Sequence, residues 1–318
     1  DADVVQGLIE PGRFAEGRLA IDVDAANSVL QRNVGEALGL EAVQAAHAIS
    51  EIVDENMAAA GRIHAVESGK DLSARLMIAF GGNGPLHATR VARRAQVERI
   101  LIPHDPGVGS AVGFLFAPVS FEIIRSRYAM LDRLDLNDLN AFFDAMIEEA
   151  ETVVRAGAPE APLSRRRMAF MRYHGQGHEI EIPLPDHPLE PKDLPKLRQR
   201  FESVYSQQFS RAVPGMAIEI LNWALEVSSK PQALKHYPTP SKRQPAQPSG
   251  QRSILCDVLG VYRIAQIYDR SALRPGDHMQ GPALIIEAQT TTFVSCDFSA
   301  QVDGGGNIWL TRQREDMQ

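Results

Sequence analysis

The chain has 318 residues, 44% apolar and 23% charged, which suits a protein with a buried core and excludes a disordered or collagen-like polymer. Its net charge of −7 argues against the basic surface that non-specific nucleic-acid binding needs. Apolar runs such as Met77 to Phe80 fall far short of the roughly 20 residues needed to cross a bilayer. Two cysteines make no disulfide framework, so a reducing compartment is expected, and without a signal peptide or lipidation motif the cytoplasm is the default. The length allows about two domains, and a start at Asp1 rather than Met reads as part of a longer chain.

Asp24 opens a helical pattern towards Leu38, with Ala25, Val29 and Val34 on one side and Gly39 as its stop. Glu41 to Ala60 is a second helix, in which Val43, Ala46, Ile49, Ile52, Val53 and Met57 fall near helical spacing. Leu76 to Phe80 predicts a short strand closed by Gly81-Gly82-Asn83-Gly84-Pro85. A helix follows through Arg94, with Pro85 in its first turn. Arg99 to Ile102 is a second strand, ended by a turn at Pro106 to Gly109. Two successive strand–turn–helix units predict an α/β fold whose sheet is parallel or mixed and covered by helices.

Leu136 to Arg155 predicts an amphipathic helix through Leu139, Phe142, Phe143, Met146 and Ile147. Met168 to Leu184 alternates with period two, which predicts a strand bent at Gly175 and Gly177. Asp193 to Gln208 returns to helix, and Ala217 to Ser228 reads as strand. The proline-rich segment 229–252, with Pro231, Pro238, Pro240, Pro245 and Pro248, predicts an extended, exposed linker. Ser253 to Thr311 reads as β.

The strongest local signal is Gly81-Gly82-Asn83-Gly84. Glycines between a buried strand and a helix let a ligand approach the backbone, and the helix N-terminus favours an anion, which suits a nucleotide. The same pattern also serves a tight strand-to-helix turn with no ligand. Gly107 to Gly113 does not have dinucleotide-fingerprint spacing, and Ser110 lacks a nucleophile elbow. That segment is expected to be a packing turn that brings Ala111 and Gly113 close to the sheet.

His174 and His178 have metal-like spacing only on a helix; on a strand, four residues span about 13 Å, too far for one ion. They read as side chains on a bulged strand at a surface. Cys256 and Cys296 read as small buried hydrophobes in strands, without nearby cysteine partners. Asp22 and Asp24 suit a helix start, Glu148, Glu149 and Glu151 a solvated face, and Arg165 to Arg167 a basic loop. No Gly-x-x-x-x-Gly-Lys-Ser/Thr loop exists. The residues define no complete catalytic set and no metal ligands.

Four stretches fit one known pattern: Asp1 to Gly7; Asn56-Met57 and Val66 to Asp71 leading to Ala79 to Ala88; Pro103 through Pro106 to Gly113; and Gly281-Pro282-Ala283 with Thr290-Thr291-Thr292 and Asp303-Gly304. In them the chain resembles the C-terminal half of the A-type subunit of the hydantoinase/oxoprolinase family. That family comprises ATP-dependent N-methylhydantoinases, 5-oxoprolinases and the related acetone and acetophenone carboxylases. The resemblance implies part of an actin-like (sugar kinase/Hsp70/actin) ATPase lobe over 1–118 and a mixed α+β, β-rich domain over 119–318.

The resemblance further implies that Gly81, Gly82, Asn83 and Gly84 form an adenosine-binding turn, with Asn83 where the family usually has Ala. ATP and Mg²⁺ would be bound mainly outside this chain, because the family's Asp-Gly-Gly-Thr-type phosphate loops lie upstream of Asp1. The implied chemistry is phosphorylation of a carbonyl of a small-molecule substrate, followed by attack of water, or of carboxylating equipment on a B-type partner subunit. The implied partners are that B-type subunit and an N-terminal half or companion chain carrying the phosphate loops. A non-catalytic module that docks the B-type subunit is the rival expectation.

Overall fold

A computed structural model describes residues 1–230, 237–238, 240 and 242–313, leaving aside the side chains of residues 15 and 16. The chain forms two compact units, one from 1–115 with 234–318 and the other from 116–233. The unit borders do not coincide with a single domain over 119–318, because 234–318 joins the N-terminal residues.

The first unit opens with α1 (Ala2–Val5) and α2 (Val23–Leu30), which continues through a π-helical turn (Gln31–Gly35) into α3 (Glu36–Leu38). Asp22 caps α2 by accepting a hydrogen bond from the Ala25 amide, and Gly39, at φ 67°, ends the run as expected. Helix α4 (Ala42–Glu67) extends past the expected Ala60. Its orientation corrects the sequence reading: Ile52, Val53 and Met57 are exposed, while Ala45, Ala46, Ser50, Asp54 and Ala58 are buried. Small residues let α4 approach its neighbours closely, and the buried Asp54 is held by ion pairs that spacing alone does not reveal. Strand β1 (Leu76–Ile78), helix α5 (Gly84–Arg94) and parallel strand β2 (Arg99–Ile102) form the expected strand–helix–strand unit. Helix α6 (Gly109–Phe116) follows.

The second unit is a four-stranded antiparallel sheet under two helices. Its strands are β3 (Ser120–Met130), β4 (Leu163–Tyr173), β5 (Ile180–Pro183) and β6 (Ile218–Ser229), in the order β3-β6-β4-β5. Helix α7 (Leu136–Gly157) buries Phe143, Met146, Ala150 and Val154, with Phe143 edge-on to Trp223 of β6. Helix α8 (Leu194–Phe209) sets Phe201 and Tyr205 against Tyr173. The expected bent strand over 168–184 is two strands, paired Met171 to Ile180. Gly175, in the left-handed region at φ 83°, turns the chain back between them. Arg165 to Arg167 lie in β4 rather than in a loop. Arg165 and Arg166 pair with Glu151 and Glu226, and Arg167 is buried over the Phe143 ring.

The chain then returns to the first unit with β7 (Gln244–Pro245), β8 (Gly250–Leu255), β9 (Tyr262–Asp269), β10 (Asp277–Gln280), β11 (Ala283–Ile286), β12 (Thr291–Val294), β13 (Phe298–Val302) and β14 (Ile308–Arg312). Two of these strands begin inside the expected linker. Pro245 sits in edge strand β7, where the missing amide costs no ladder bond, and the Ala246 amide donates to His278. Of the linker prolines, Pro231 lies outside the described residues.

Six strands form one mixed sheet, β1-β2-β14-β13-β10-β7, and four form another, β12-β11-β9-β8. Helix α5 contributes to the core of both. Ala88 and Ala92 pack with Ile100, Phe298 and Leu310 of the six-stranded sheet. Leu86 joins Ile254, Ala265, Leu284 and Phe293, one from each strand of the four-stranded sheet. No helix among the described residues is long and apolar enough to cross a membrane.

Candidate functional site

The Gly81–Gly84 turn sits between β1 and α5 and is pinned at both ends. The Ala79 amide donates to Leu101 of β2 at 3.0 Å, and the Gly81 amide donates to Pro106 of the second turn at 2.7 Å. Gly81 has φ 100°, a region that residues with a Cβ rarely enter. A Cβ added at Gly81 or Gly82 would meet nothing within 4 Å, so the space above the turn is open.

Asn83 stands at the N-cap of α5 without capping it. Its Nδ2 instead donates to His87 Nε2 at 2.9 Å. His87 Nδ1 in turn lies 2.7 Å from the fully buried Asp54 Oδ1 and 2.9 Å from Arg90 Nη2. Arg90, also buried, brings Nε to 2.8 Å from Asp54 Oδ2 and Nη2 to 3.5 Å from Asp3 Oδ1. Two carboxylates and a guanidinium, from α1, α4 and α5, thus set the position of the helix that begins at the turn.

Gly82, Asn83 and Leu86 face residues 286–291 across a cavity of about 200 Å³. Ile9 and Ile286 add apolar surface to it. The Thr290-Thr291-Thr292 stretch is therefore brought next to the glycine turn, and Thr291 lines the same cavity. Glu287 lines this cavity and also a neighbouring one of about 610 Å³, which includes His104, Asp105, Arg13 and Arg270. Burial pushes the Glu287 carboxyl up to about 7, against the opposing pull of Arg270. Burial also lowers the Arg270 guanidinium, whose Nη2 donates to the Gly306 carbonyl at 2.5 Å.

The second turn serves this loop. A Cβ on Gly107 would stand 2.8 Å from Gln289 Cβ, and one on Gly109 would stand 3.2 Å from Phe80 Cδ2. The expectation that Ala111 and Gly113 approach the sheet is corrected: both are exposed on α6, and the close approaches belong to Gly107 and Gly109.

His174 and His178 have separate surroundings. His174 Nδ1 lies 2.7 Å from Glu219 Oε2, and the His178 ring sits 6.0 Å from that of Phe209. Glu148, Glu149 and Glu151 lie on α7, where Glu149 and Glu151 pair with Arg125 and Arg165. The reading of Cys256 and Cys296 as partnerless strand residues is corrected. Both lie just past strand ends, and their sulfurs are 3.1 Å apart beside Asp257. Forty residues of separation hide that contact until β8 and β12 are placed.

Sequence reading also missed Glu287, Arg270 and the Asp3–Asp54–His87–Arg90 cluster. For the cluster there was a signal: His87 and Arg90 fall at i and i+3 on α5, facing a helix whose small residues leave room for them.

Known proteins share this architecture and sequence. The family model described as hydantoinase/oxoprolinase matches residues 1–123, and its companion for the hydantoinase/oxoprolinase C-terminal domain matches 136–306. The chain belongs to the hydantoinase/oxoprolinase family. It is 25% identical over 317 residues to the caprolactamase subunit alpha of Pseudomonas jessenii, covering 98% of this chain and 46% of that protein. It is 28% identical over 309 residues to the acetophenone carboxylase gamma subunit of Aromatoleum aromaticum, covering 92% and 42%. The nucleotide-free structure of acetone carboxylase superposes with a TM-score of 0.77 at 21% identity, over 98% of this chain and 46% of that one. The chain thus spans less than half the length of these relatives, the first two of which are subunits by name.

Proposed function

We propose that this chain is the C-terminal part of the ATP-binding subunit of an enzyme that opens a cyclic amide, such as a hydantoin, 5-oxoproline or a lactam. The observation that carries the reading is the open Gly81-Gly82-Asn83-Gly84 turn at the head of α5, facing the cavity it shares with Glu287 to Thr291. That lining fits adenosine: glycines clear the approach, Ile9, Leu86 and Ile286 offer apolar surface to a flat ring, and Asn83 is a polar contact held in place by His87. It suits phosphates less well, since Glu287 adds an acidic group. The phosphate loops and Mg²⁺ ligands are therefore assigned outside this chain, in the remainder of an actin-like lobe of which 1–118 is the closing part.

ATP supplies the phosphoryl group that makes a carbonyl susceptible to attack. The residues here hold the base and sugar: Gly82 leaves room, Asn83 orients, and the buried Asp54–Arg90 pair keeps α5 from shifting. A cytoplasmic setting and a B-type partner subunit complete the reading.

A second reading, a subunit of an ATP-dependent ketone carboxylase, draws on the acetophenone carboxylase relative and the acetone carboxylase fold. A third is a non-catalytic module that docks a B-type subunit. Assay of the intact complex with ATP against hydantoins, 5-oxoproline and lactams, and against ketones with bicarbonate, separates them. Phosphate release coupled to ring opening supports the first reading. Release only with ketone and bicarbonate moves it to the second. Absence of nucleotide binding by the complex leaves the third.

A further inference from the structure

We propose that Cys256 and Cys296 form a reversible disulfide that links the ends of the two edge strands of the four-stranded sheet. The argument begins with strand directions. β8 is antiparallel to β9, β9 is parallel to β11, and β11 is antiparallel to β12. The two edge strands, β8 and β12, therefore run the same way and end at the same end of the sheet. In a flat sheet three strand spacings would hold those edges about 14 Å apart. Instead, Cys256 just past β8 and Cys296 just past β12 bring their sulfurs to 3.1 Å. The residues past the strand ends reach across that gap, over the face on which Ile254, Ala265, Leu284 and Phe293 cluster with Leu8 and Leu86.

The surroundings favour a bond between the sulfurs over a shared metal ion. Asp257 is the third group that would complete a ligand set within 4.8 Å. Both of its oxygens are engaged, Oδ2 with Arg93 at 2.8 Å and Oδ1 by the Ser295 hydroxyl at 2.8 Å. A metal would have to displace that guanidinium and would require two thiolates next to Asp257 and Asp297. Burial, the Cys256 contact and these carboxylates push the Cys296 thiol up to about 12. A disulfide is neutral, leaves the Arg93 clasp intact and needs only one thiolate at a time.

Cys256 is buried and Cys296 is partly exposed, which sets the order of events. The small fraction of Cys296 present as thiolate, kept scarce by its raised pKa, attacks one sulfur of a small disulfide such as oxidised glutathione, and one glutathione thiolate leaves, so the exchange is slow at neutral pH. Cys256, losing its proton, then attacks Cys296 Sγ in the mixed disulfide and displaces the second glutathione. Two electrons pass from the cysteines to glutathione, and the two thiol protons end on the two reduced glutathione molecules. The bond would tie Cys256 to the turn that holds Arg93, at the C-terminal end of the helix that starts at Asn83.

The test equilibrates the intact protein with oxidised or reduced glutathione, followed by alkylation and non-reducing peptide mapping. The expected result in oxidised glutathione is a single species linking the Cys256 and Cys296 peptides, both resistant to alkylation until reduced, with the thermal midpoint raised by several degrees. Cys256→Ser should trap glutathione on Cys296. The proposal is overturned if both cysteines remain alkylatable after oxidation. It is also overturned if wild-type protein accumulates only the glutathione adduct, if Cys256→Ser fails to trap one, or if both thiols are released together with a stoichiometric zinc ion.

Discussion

His87 Nδ1 lies 2.7 Å from Asp54 Oδ1, and the Asp54 side chain has no solvent-exposed surface. The contact joins the middle of α4 to the first turn of α5, so the geometry of the glycine turn is set from below. Removing one partner of a buried pair leaves the other charge unsatisfied, which costs about 3–5 kcal/mol. Asp54→Ala should therefore lower unfolding free energy by roughly that amount, read by denaturant titration, while Asp54→Asn should cost less because it keeps a hydrogen-bonding side chain of the same shape between His87 and Arg90. Equal losses in the two variants would show that the Arg90 charge, and not the His87 hydrogen bond, dominates.

Adjacent glycines in the turn should respond differently. Gly82 is not in the left-handed region, and a Cβ there meets nothing. Gly82→Val should fold with near-wild-type stability yet lose ATP binding by the intact subunit, measured by calorimetry. Unchanged affinity would remove the nucleotide from this turn. Gly81→Val, forced to φ 100°, should instead lose on the order of 1–3 kcal/mol of stability before any ligand is added.

Glu287 gives a pH signature. Its carboxyl, raised by burial from 4.5 to about 7, holds its proton more tightly in the folded chain than in the unfolded one. Between those values only the folded state keeps the proton, so stability falls as pH rises from about 4.5 to about 7, and the loss is complete above that. The full effect is on the order of 3 kcal/mol. Glu287→Gln should flatten this part of the stability profile, followed by thermal melts across that range. A slope unchanged by the substitution would place the titration elsewhere.

Glu219 behaves in the opposite sense. The hydrogen bond from His174, aided by Arg172 and Tyr128, lowers its carboxyl to about 2 against the opposing effect of burial. Its stabilising contribution is present above the ordinary carboxylate value and is lost as pH falls towards about 2. Carbon-detected NMR of labelled glutamate should place the Glu219 midpoint there, and His174→Ala should move it upward. An ordinary midpoint in wild-type protein would mean that the His174 bond does not hold in solution.

What could be read in advance divides along physical lines. The strand–turn–helix succession from Leu76 to Ile102 was legible because each element announces itself locally: an apolar run, glycines, and Pro85 at a first turn. The buried face of α4 was not, since periodicity favours large apolar residues and this interface is built from alanines around an ion pair. Pairings across long separations were equally silent. Cys256 with Cys296, and Glu287 with the glycine turn, depend on where strands 30 to 200 residues apart are laid down. The residue types of the turn were visible, but the groups that shape and charge its surroundings were not.

Strand β14, Ile308–Arg312, lies in the six-stranded sheet between β2 and β13, with Leu310 opposite Ile100. A ribosome making this protein releases β1 and β2 some two hundred residues before β14. During that interval β2 lacks its neighbour, and the helix carrying the glycine turn rests on half a sheet. The 116–233 unit, a compact unit with its own four-stranded sheet, is expected to fold meanwhile. The order of synthesis and the order of completion are thus reversed: the 116–233 segment can mature first, and the glycine turn, made before it, waits for β14, made after it. A nascent chain halted at residue 300 should consequently resist protease over 116–233 and be cut readily near Gly82.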